Sequence, residues 1–460
     1  MGMRIGMSAP CRWKRALWAS AALLLVLPAV GRALAAEPVA SPGSADPAGA
    51  ERARAPRLRE LPGGIPSSPS IAPTVSIPVG PLGFTQPGAL YLGERNSLVS
   101  LDFVDESRLL FTFRVPGLLR RSSQPDQRGG GERQIRAVVL DLPSGTIETE
   151  AIWTLHDRAR YLWMLRDGHF LLRDGDGVKE GDASLELKPL LHFPGPVLWL
   201  EMDPAQRYLV SNSTEPGSVP AREGDVGSPE TAQASMTEDG PQAPEPEDIV
   251  VRILRRESGQ VMLVSRVRSV LHLPINADGY VENLRGRGIG WVLNLSYFSG
   301  GSRILGQVES TCLPTEDFIA ENRILVSTCG LSGERRLGAM TTDGELLWQD
   351  QNPAAAVWPV TARSADGSRL VDETLMATHA ISAMSPLDRG DIKGQVVRVL
   401  DAATGEPVLT SAASPALDAG GNVALSPSGR RAAILNDGAL QIFDLPASAS
   451  PSPAAGQGPH

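Results

Sequence analysis

The sequence contains few cysteines and few aromatic residues. It has three Cys in 460 residues, and Phe, Trp and Tyr together make up 5%. Three cysteines exclude a small domain held together by several disulfides. The main apolar stretch, residues 16–30, is shorter than the ~20 residues that a membrane-spanning helix needs. After it, helical periodicity is hardly ever sustained beyond about ten residues, which argues against a helical fold.

Basic residues are fewer than acidic ones. The chain has 43 Lys and Arg against 52 Asp and Glu, for a formal net charge of −9. A general nucleic-acid binder needs an excess of Lys and Arg to displace counterions from phosphate, so we expect no nucleic-acid partner. Apolar residues make up 42%, which is enough for a sizeable core and excludes a wholly disordered chain.

The N-terminus has the pattern of a secretory signal. Four basic residues lie before or at the start of the apolar stretch, and the small residues Ala33 and Ala35 follow it. This order predicts a signal peptide over residues 1–35 that is cleaved between Ala35 and Ala36. An uncleaved anchor is the alternative. We therefore expect a periplasmic or secreted protein, with no transmembrane segment after cleavage.

Two cysteines remain after such cleavage. Cys11 belongs to the signal, which leaves Cys312 and Cys329. An even pair in an oxidising compartment predicts one disulfide, closing a loop of about 17 residues. Two buried free thiols are the alternative. No C-x-x-C spacing is present, so we expect no metal site at these cysteines.

Three segments have the composition of linkers or disordered loops. Residues 36–81 contain ten prolines, residues 213–248 contain nine acidic residues against one Arg, and residues 447–460 are rich in Pro, Ala and Gly. Such segments cannot bury enough apolar surface to form a core. They divide the chain into a linker (36–81), a folded domain (82–446) with an acidic disordered insertion (213–248), and a tail (447–460).

The folded domain consists of short strand-like runs in which a weak repeat recurs. The repeat is a polar turn, then Arg or His, then two apolar residues, and a degenerate copy lies near Gly288-Ile289-Gly290-Trp291. The clear copies are Arg108-Leu109-Leu110, His169-Phe170-Leu171, Arg207-Tyr208-Leu209, Arg323-Ile324-Leu325, Arg369-Leu370-Val371 and Arg431-Ala432-Ala433. Without the acidic insertion the mean spacing is about 48 residues, within the range of propeller blades. Seven copies predict seven blades, although six or eight are compatible with the spacing.

A second motif marks a turn within the repeat. Asp141 is followed by Ser144-Gly145, and Asp401 is followed by Thr404-Gly405. The Asp can accept hydrogen bonds from turn amides, and Gly supplies the positive φ that reverses the chain. We interpret both as repeat turns between antiparallel strands.

The pattern resembles exported bacterial WD40-like propellers, including the YVTN type, over roughly residues 90–445. The resemblance departs from the family because no Trp-Asp dipeptide and no Gly-His pair occurs; Leu-Asp and Phe-Asp stand in their place. It implies a single propeller of four-stranded antiparallel blades around a channel that serves as a binding platform. We expect ring closure through an N-terminal strand near Ala89 to Leu92, because closure leaves no free sheet edge.

No segment has a specific catalytic pattern. Asp343 to Trp348 is similar to one tryptophan-docking repeat of quinoprotein dehydrogenases, but it occurs once, so we expect Trp348 to pack between blades. Asp174-Gly175-Asp176-Gly177 lacks the later positions of a calcium loop and predicts a hairpin turn. The histidines show no ligand spacing: His156, His169, His192, His272 and His379. We name no catalytic, cofactor-binding or metal-binding residue from the sequence.

The predicted function is a non-catalytic binding or scaffold module for a protein, peptide or glycan, present as a monomer. The alternative is a propeller enzyme (a quinoprotein-like oxidoreductase, a lyase or a lactonase) with its site in the central channel. Converging carboxylates, His and Arg at the channel mouth, with an ordered metal, would favour the enzyme. A broad apolar or aromatic patch on one face would favour a partner.

Overall fold

The computed structural model describes nine stretches of the chain: residues 59–60, 71–86, 98–120, 132–156, 160–215, 248–352, 355–380, 389–417 and 420–448. Two short strands, β1 (Arg59–Glu60) and β2 (Val75–Pro78), come first. A 3-10 turn at Arg389–Asp391 is the one helical element within these stretches. The fold is all-β, as predicted. The predicted signal, with Ala35 and Ala36, lies outside the described residues.

Seven sheets follow one another along the chain as the blades of a propeller. Blade 1 contains β3 (Ser100–Phe103), β4 (Arg108–Arg120), β5 (Glu132–Asp141) and β6 (Ile147–Leu155). Blade 2 contains β7 (Leu162–Met164), β8 (Phe170–Asp174), β9 (Gly177–Gly181) and β10 (Lys188–His192). Blade 3 contains β11 (Val197–Met202), β12 (Tyr208–Glu215), β13 (Asp248–Arg255) and β14 (Val261–Val267). Blade 4 contains β15 (Gly279–Arg285), β16 (Gly290–Tyr297) and β17 (Ser302–Glu309).

The remaining blades complete the ring. Blade 5 contains β18 (Thr315–Ala320), β19 (Arg323–Cys329), β20 (Arg335–Thr341) and β21 (Leu346–Asn352), with β1 paired in parallel to β21. Blade 6 contains β22 (Ala356–Arg363), β23 (Arg369–Ala377), β24 (Ile392–Asp401) and β25 (Pro407–Ala413). Blade 7 contains β26 (Val423–Leu425), β27 (Arg431–Asn436), β28 (Ala439–Asp444) and β2. The predicted seven-bladed propeller is confirmed.

The ring is closed by a strand from the N-terminal side of the domain. β2 pairs antiparallel with β28, with Ile77 opposite Leu440, so blade 7 is built from both ends of the folded chain. Residues 75–78 lie inside the range 36–81 that was predicted to be linker, whereas the expected closing segment, Ala89 to Leu92, lies outside the described residues. The alternation in Val75-Ser76-Ile77 explains the strand, because it buries Ile77 against blade 1.

The hydrophobic core is divided into seven clusters, and each lies between two neighbouring blades. Leu440 of blade 7 packs with Phe111 of blade 1, and Trp348 of blade 5 packs with Leu400 of blade 6. The other five interfaces are built in the same way. A blade alone would expose both apolar faces, so the stack becomes stable only when the circle closes.

The Arg/His repeat marks the start of the second strand in six blades. Blade 4 is the exception. Its predicted copy, Gly288-Ile289-Gly290-Trp291, leads into β16, which is the third strand position counted from the channel. The segment that corresponds to the copies in the other blades is Gly279-Tyr280-Val281, at the start of β15 in the second strand position. The innermost position of blade 4 is reduced to an isolated bridge between Ile275 and Tyr280. Blade 4 therefore has three regular strands in its described residues, and the innermost of the four predicted strands is missing.

The repeat-turn glycines lie where neighbouring blades meet. Gly145 and Gly405 both have φ +70 and donate backbone hydrogen bonds of 2.8 Å to the carbonyls of Asp141 and Asp401. A Cβ on either glycine would lie within 3 Å of a side chain on the outermost strand of the preceding blade. These side chains are Ile77 for Gly145 and Trp348 for Gly405. Glycine is thus required both for the positive φ and for the close approach.

Two further predicted features lie at strand ends. Cys312 and Cys329 form a disulfide that ties the segment before β18 to the end of β19. The acidic insertion connects the second and third strands of blade 3, and Glu215 and Asp248 are paired where those strands enter it. Residues 216–247 lie outside the described residues. Within the residues described, no helix is long and apolar enough to span a membrane.

Candidate functional site

A cavity of about 260 Å3 lies in the central channel of the propeller. Its lining comes mainly from the innermost strands of six blades and from the turns that follow them. Polar residues on this lining include Asp102, Arg160, Arg166, Glu201, Gln206, His272, Asp317, Thr361 and Arg363. These residues are far apart in the sequence, and only the ring brings them together.

Three of these side chains form one cluster. Nδ1 of His272 lies 3.0 Å from Oε2 of Glu201, and Nε2 lies 3.7 Å from Oδ1 of Asp317. One nitrogen or oxygen atom from each residue lies within 4.8 Å of the other two. Glu201 is the last residue but one of the inner strand of blade 3, His272 precedes blade 4 and Asp317 lies in the inner strand of blade 5. Because blade 4 lacks a regular inner strand, His272 can reach the channel from an irregular segment.

Neighbouring groups hold each member of the cluster. Nε2 of His272 donates to the carbonyl of Glu316 at 2.6 Å when it bears the proton. The amide of Leu273 donates to Oε2 of Glu201 at 3.3 Å, and Oγ1 of Thr361 donates to Oδ2 of Asp317 at 3.2 Å. Such contacts restrict the orientation of the imidazole and of both carboxylates.

The cluster strongly perturbs the protonation of its histidine. Burial lowers the pKa of His272, but the Glu201 carboxylate, followed by Asp317 and the Glu316 carbonyl, outweighs it and raises the pKa to about 10. Burial raises the pKa of Asp317, and the charge of Glu201 adds to this rise. The side chain of Asp317 is 47% accessible and lines the cavity. His272 is therefore an imidazolium at neutral pH.

Two arginines converge at the end of the cavity where the inner strands finish. Arg363 is the last residue of β22, and Arg166 follows β7. Both residues line the cavity. Burial lowers the pKa of Arg363 and the charge of Arg166 adds to this fall, whereas the carboxylates of Asp317, Asp203 and Glu321 oppose it. Neither guanidinium lies within 4.0 Å of a carboxylate among the described residues.

Gln206 fixes the position of Arg166. Its side chain accepts a hydrogen bond of 2.7 Å from the amide of Arg166 and donates one of 3.0 Å to the carbonyl of Met164. Gln206 has φ +60, an uncommon conformation for a residue that is not glycine. The first turn of blade 3 thus holds the end of the inner strand of blade 2.

Asp102 and Arg160 contribute further charges to the channel. Burial raises the pKa of Asp102 to about 6, against the hydrogen bond from Ser100 and the charge of Arg160. The Arg160 guanidinium lies 5.3 Å from the ring centre of Trp163. The cavity therefore combines carboxylates, an imidazolium and guanidinium groups.

Sequence reasoning did not identify this site. His272 was interpreted as an isolated histidine, and Glu201, Asp317, Arg166 and Arg363 were not singled out. These residues lie in different blades, so the distances between them along the sequence are too long for a short motif to reveal the site. Asp174-Gly175-Asp176-Gly177 is instead the hairpin between β8 and β9, as predicted, with Lys179 paired to Asp174.

The convergence of carboxylates, His and Arg in the channel is the feature that the sequence analysis associated with an enzyme. A broad aromatic patch is not found among the described residues, whose exposed large apolar side chains are all aliphatic. The central channel, where these groups converge, is therefore the candidate functional site.

Comparisons with known proteins give distant structural matches only. No protein-family model and no curated protein matches the chain. Among solved structures, an acylaminoacyl peptidase from Pyrococcus horikoshii is 12% identical with a TM-score of 0.45, covering 78% of this chain and 53% of that one. The β-propeller domain of the Trilobed protease from Pyrococcus furiosus is 11% identical with a TM-score of 0.41, covering 77% and 99%. The chain thus matches about half the length of the first of these proteins, and the fold assignment rests on its own seven sheets.

Proposed function

We propose that the protein is a non-catalytic binding module that receives a carboxylate of a peptide or protein partner at the mouth of its central channel. The observation that supports this is the convergence of Arg166 and Arg363, neither of which has a carboxylate at ion-pair distance among the described residues. Two neighbouring guanidinium groups repel each other and favour an anion between them.

The dimensions of the site favour a small group of a larger partner. A cavity of about 260 Å3 lies just below the range of pockets that enclose drug-sized ligands, roughly 300–1,000 Å3. It accommodates one acidic side chain or one C-terminus. Arg binds a carboxylate through two parallel hydrogen bonds, which selects for orientation as well as charge.

The lining of the cavity also suits a peptide. It contains apolar side chains as well as charged ones. Met164, Met202, Pro204 and Pro427 line the cavity beside the arginines, and these suit the aliphatic portions of a peptide.

We further propose that the protein acts as a monomer outside the cytoplasm, in the periplasm or as a secreted protein. The predicted signal peptide supports this location, and the disulfide between Cys312 and Cys329 is consistent with an oxidising compartment. The intact mass of protein recovered from the envelope tests the proposal, since cleavage leaves Ala36 as the first residue. Recovery of the uncut chain from the cytoplasm alone would contradict it.

Peptide retention tests the binding proposal. Immobilised protein is incubated with a random octapeptide library bearing free C-termini, and with the same library amidated, and bound peptides are identified by mass spectrometry. We expect retention of peptides that carry a free C-terminus or acidic side chains. Arg166→Met and Arg363→Met should each weaken it about tenfold or more, whereas Arg303→Met on the outer strand of blade 4 should not. Equal retention by all four proteins would overturn the proposal.

A channel enzyme is the second candidate, and the cluster of Glu201, His272 and Asp317 is the observation that favours it. Three assays separate the classes: a uronate-containing glycan for a lyase, an aryl lactone for a lactonase and a redox dye for an oxidoreductase. Turnover that is lost in His272→Gln would support this candidate. If none of the three assays detects turnover and the immobilised protein retains acidic peptides, the result would support the binding module.

A further inference from the structure

We propose that Glu201, His272 and Asp317 form a binding site for a divalent first-row transition metal such as Zn2+. The inference does not depend on carboxylate binding at Arg166 and Arg363, because it concerns a different set of side chains. It rests on the separation of the three ligand groups and on the contacts that orient them.

The first argument is the spacing of the ligand atoms. Zinc binds imidazole nitrogen and carboxylate oxygen at about 2.0–2.2 Å, which places two of its ligands about 3 Å apart. Nδ1 of His272 and Oε2 of Glu201 are 3.0 Å apart. A ligand atom of Asp317 lies within 4.8 Å of both partners. Because Oδ1 of Asp317 lies 3.7 Å from Nε2 of His272, its carboxylate must also rotate toward the side of the ring that faces Glu201 to share an ion there. Asp317 is the most accessible of the three, so its side chain has room for this rotation.

The second argument is the support behind each ligand. A histidine that binds a metal through one nitrogen usually donates the other N–H to a carbonyl or carboxylate. In His272, Nε2 is held by the Glu316 carbonyl at 2.6 Å, which leaves Nδ1 directed at Glu201. A metal ion bound at Nδ1 would displace the proton that this nitrogen carries in the imidazolium and release it to solvent. The carboxylates of Glu201 and Asp317 are likewise held by Leu273 and Thr361. Each of the three ligands thus has an outer hydrogen-bond partner.

A third observation concerns Trp199, which packs against the ligand histidine. Its ring centre lies 6.4 Å from that of His272 in a T-shaped arrangement. Its Nε1 atom is buried and has no hydrogen-bond partner among the described residues. An indole N–H can only donate, so a buried donor without an acceptor is left beside the ligand histidine.

The donor set selects the class of metal. One imidazole nitrogen with two carboxylate oxygens suits Zn2+, Mn2+ and related ions, whereas Mg2+ and Ca2+ prefer oxygen ligands alone. Three protein ligands also leave a coordination position open, as in metal sites that bind water or substrate. The ion would join blades 3, 4 and 5 at the point where blade 4 lacks a regular inner strand.

Metal titration of the full-length protein tests the proposal without any peptide. After treatment with a chelator, Zn2+ binding is measured by calorimetry, and Co2+ is added to record its visible absorption, which reports coordination geometry. We expect one Zn2+ per chain and the spectrum of four- or five-coordinate Co2+. His272→Gln and Asp317→Asn should weaken binding by about 100-fold, and Thr361→Val by about tenfold, as for loss of an outer-shell partner.

A matched control separates the site from an ordinary ion pair. Nδ1 of His156 also lies 3.0 Å from a carboxylate oxygen, that of Asp174, but within the described part of the chain His156 belongs to no three-residue ligand group. His156→Gln should leave Zn2+ binding unchanged. Circular dichroism confirms that each variant is folded, and Thr361→Val provides a conservative case if the others unfold. Equal Zn2+ affinity in wild type, His272→Gln and Thr361→Val, or the spectrum of hydrated Co2+, would overturn the proposal.

Discussion

The indole of Trp348 lies against the backbone of Gly405, and a Cβ at Gly405 would lie 2.6 Å from Cδ2 of Trp348. Nε1 of Trp348 also donates a hydrogen bond of 3.0 Å to the carbonyl of Ala402 in the same turn. The last strand of blade 5 is thereby joined to the turn before the last strand of blade 6. Ile77 of blade 7 approaches Gly145 of blade 1 with a similarly close contact.

Gly405→Ala should destabilise the propeller at this junction. The substitution places Cβ in a left-handed conformation and against the indole, so we expect a loss of about 3 kcal/mol in the free energy of unfolding. Urea denaturation measures the loss. Gly438→Ala is the matched control, because Gly438 has φ +74 and nothing within 4 Å of its Cβ position. An equal loss in both variants would show that backbone strain alone is responsible.

Removal of β2 should open the ring. A chain lacking residues 1–70 retains β2, whereas a chain lacking residues 1–81 loses the buried side chains of Ile77 and Val79. From their burial we expect the longer truncation to lose about 4 kcal/mol relative to the shorter one. Thermal unfolding and limited proteolysis of blade 7 measure the difference. Identical melting curves would mean that β2 does not close the propeller.

The disulfide should stabilise blade 5. Replacing both Cys312 and Cys329 by Ser should lower the free energy of unfolding by about 3 kcal/mol, because the unfolded chain gains the entropy of an open loop. Chemical denaturation with and without reductant measures this effect. The reduced wild type should match the double variant. If alkylation detects two thiols in the untreated wild type, the prediction fails.

Ionisation of Glu373 should lower the free energy of unfolding as the pH rises. Burial, together with the charge of Asp372, raises the pKa of Glu373 to about 8 from 4.5. Because the folded pKa is the higher one, the stabilisation is complete below about pH 4.5 and is lost as the pH rises through about 8. Deprotonation of the buried carboxyl then costs on the order of a few kcal/mol.

Glu373→Gln tests this pH dependence. The amide retains the Oε1 acceptor that Gln395 contacts at 2.7 Å, but it cannot ionise. Melting temperatures between about pH 5 and 9 should decline less in this variant than in the wild type. The exposed Glu345→Gln should behave like the wild type. Parallel profiles for wild type and Glu373→Gln would contradict the assignment.

The architecture could be predicted from the sequence because its signals are local. Each Arg-Leu-Leu-type copy is a turn followed by a buried strand, and the Asp141 and Asp401 turns occupy the same place in blades 1 and 6, between the third and fourth strands. Blade 4 was placed incorrectly because its inner strand is irregular and a turn before β16 resembles the repeat. The closing strand was placed too late because the prolines around Val75–Pro78 resemble a linker, whereas an outer strand tolerates proline at its end.

The sequence by itself determined the class of the fold, since alternating apolar residues and turn glycines specify antiparallel strands within a few residues. It also predicted a disulfide between Cys312 and Cys329, the two cysteines that remain if the predicted signal is removed. Only the tertiary structure decided the site. Glu201, His272 and Asp317 come from three blades, and Arg166 and Arg363 come from two others. Their proximity depends on the radius at which seven packed sheets close, a quantity that no local pattern contains.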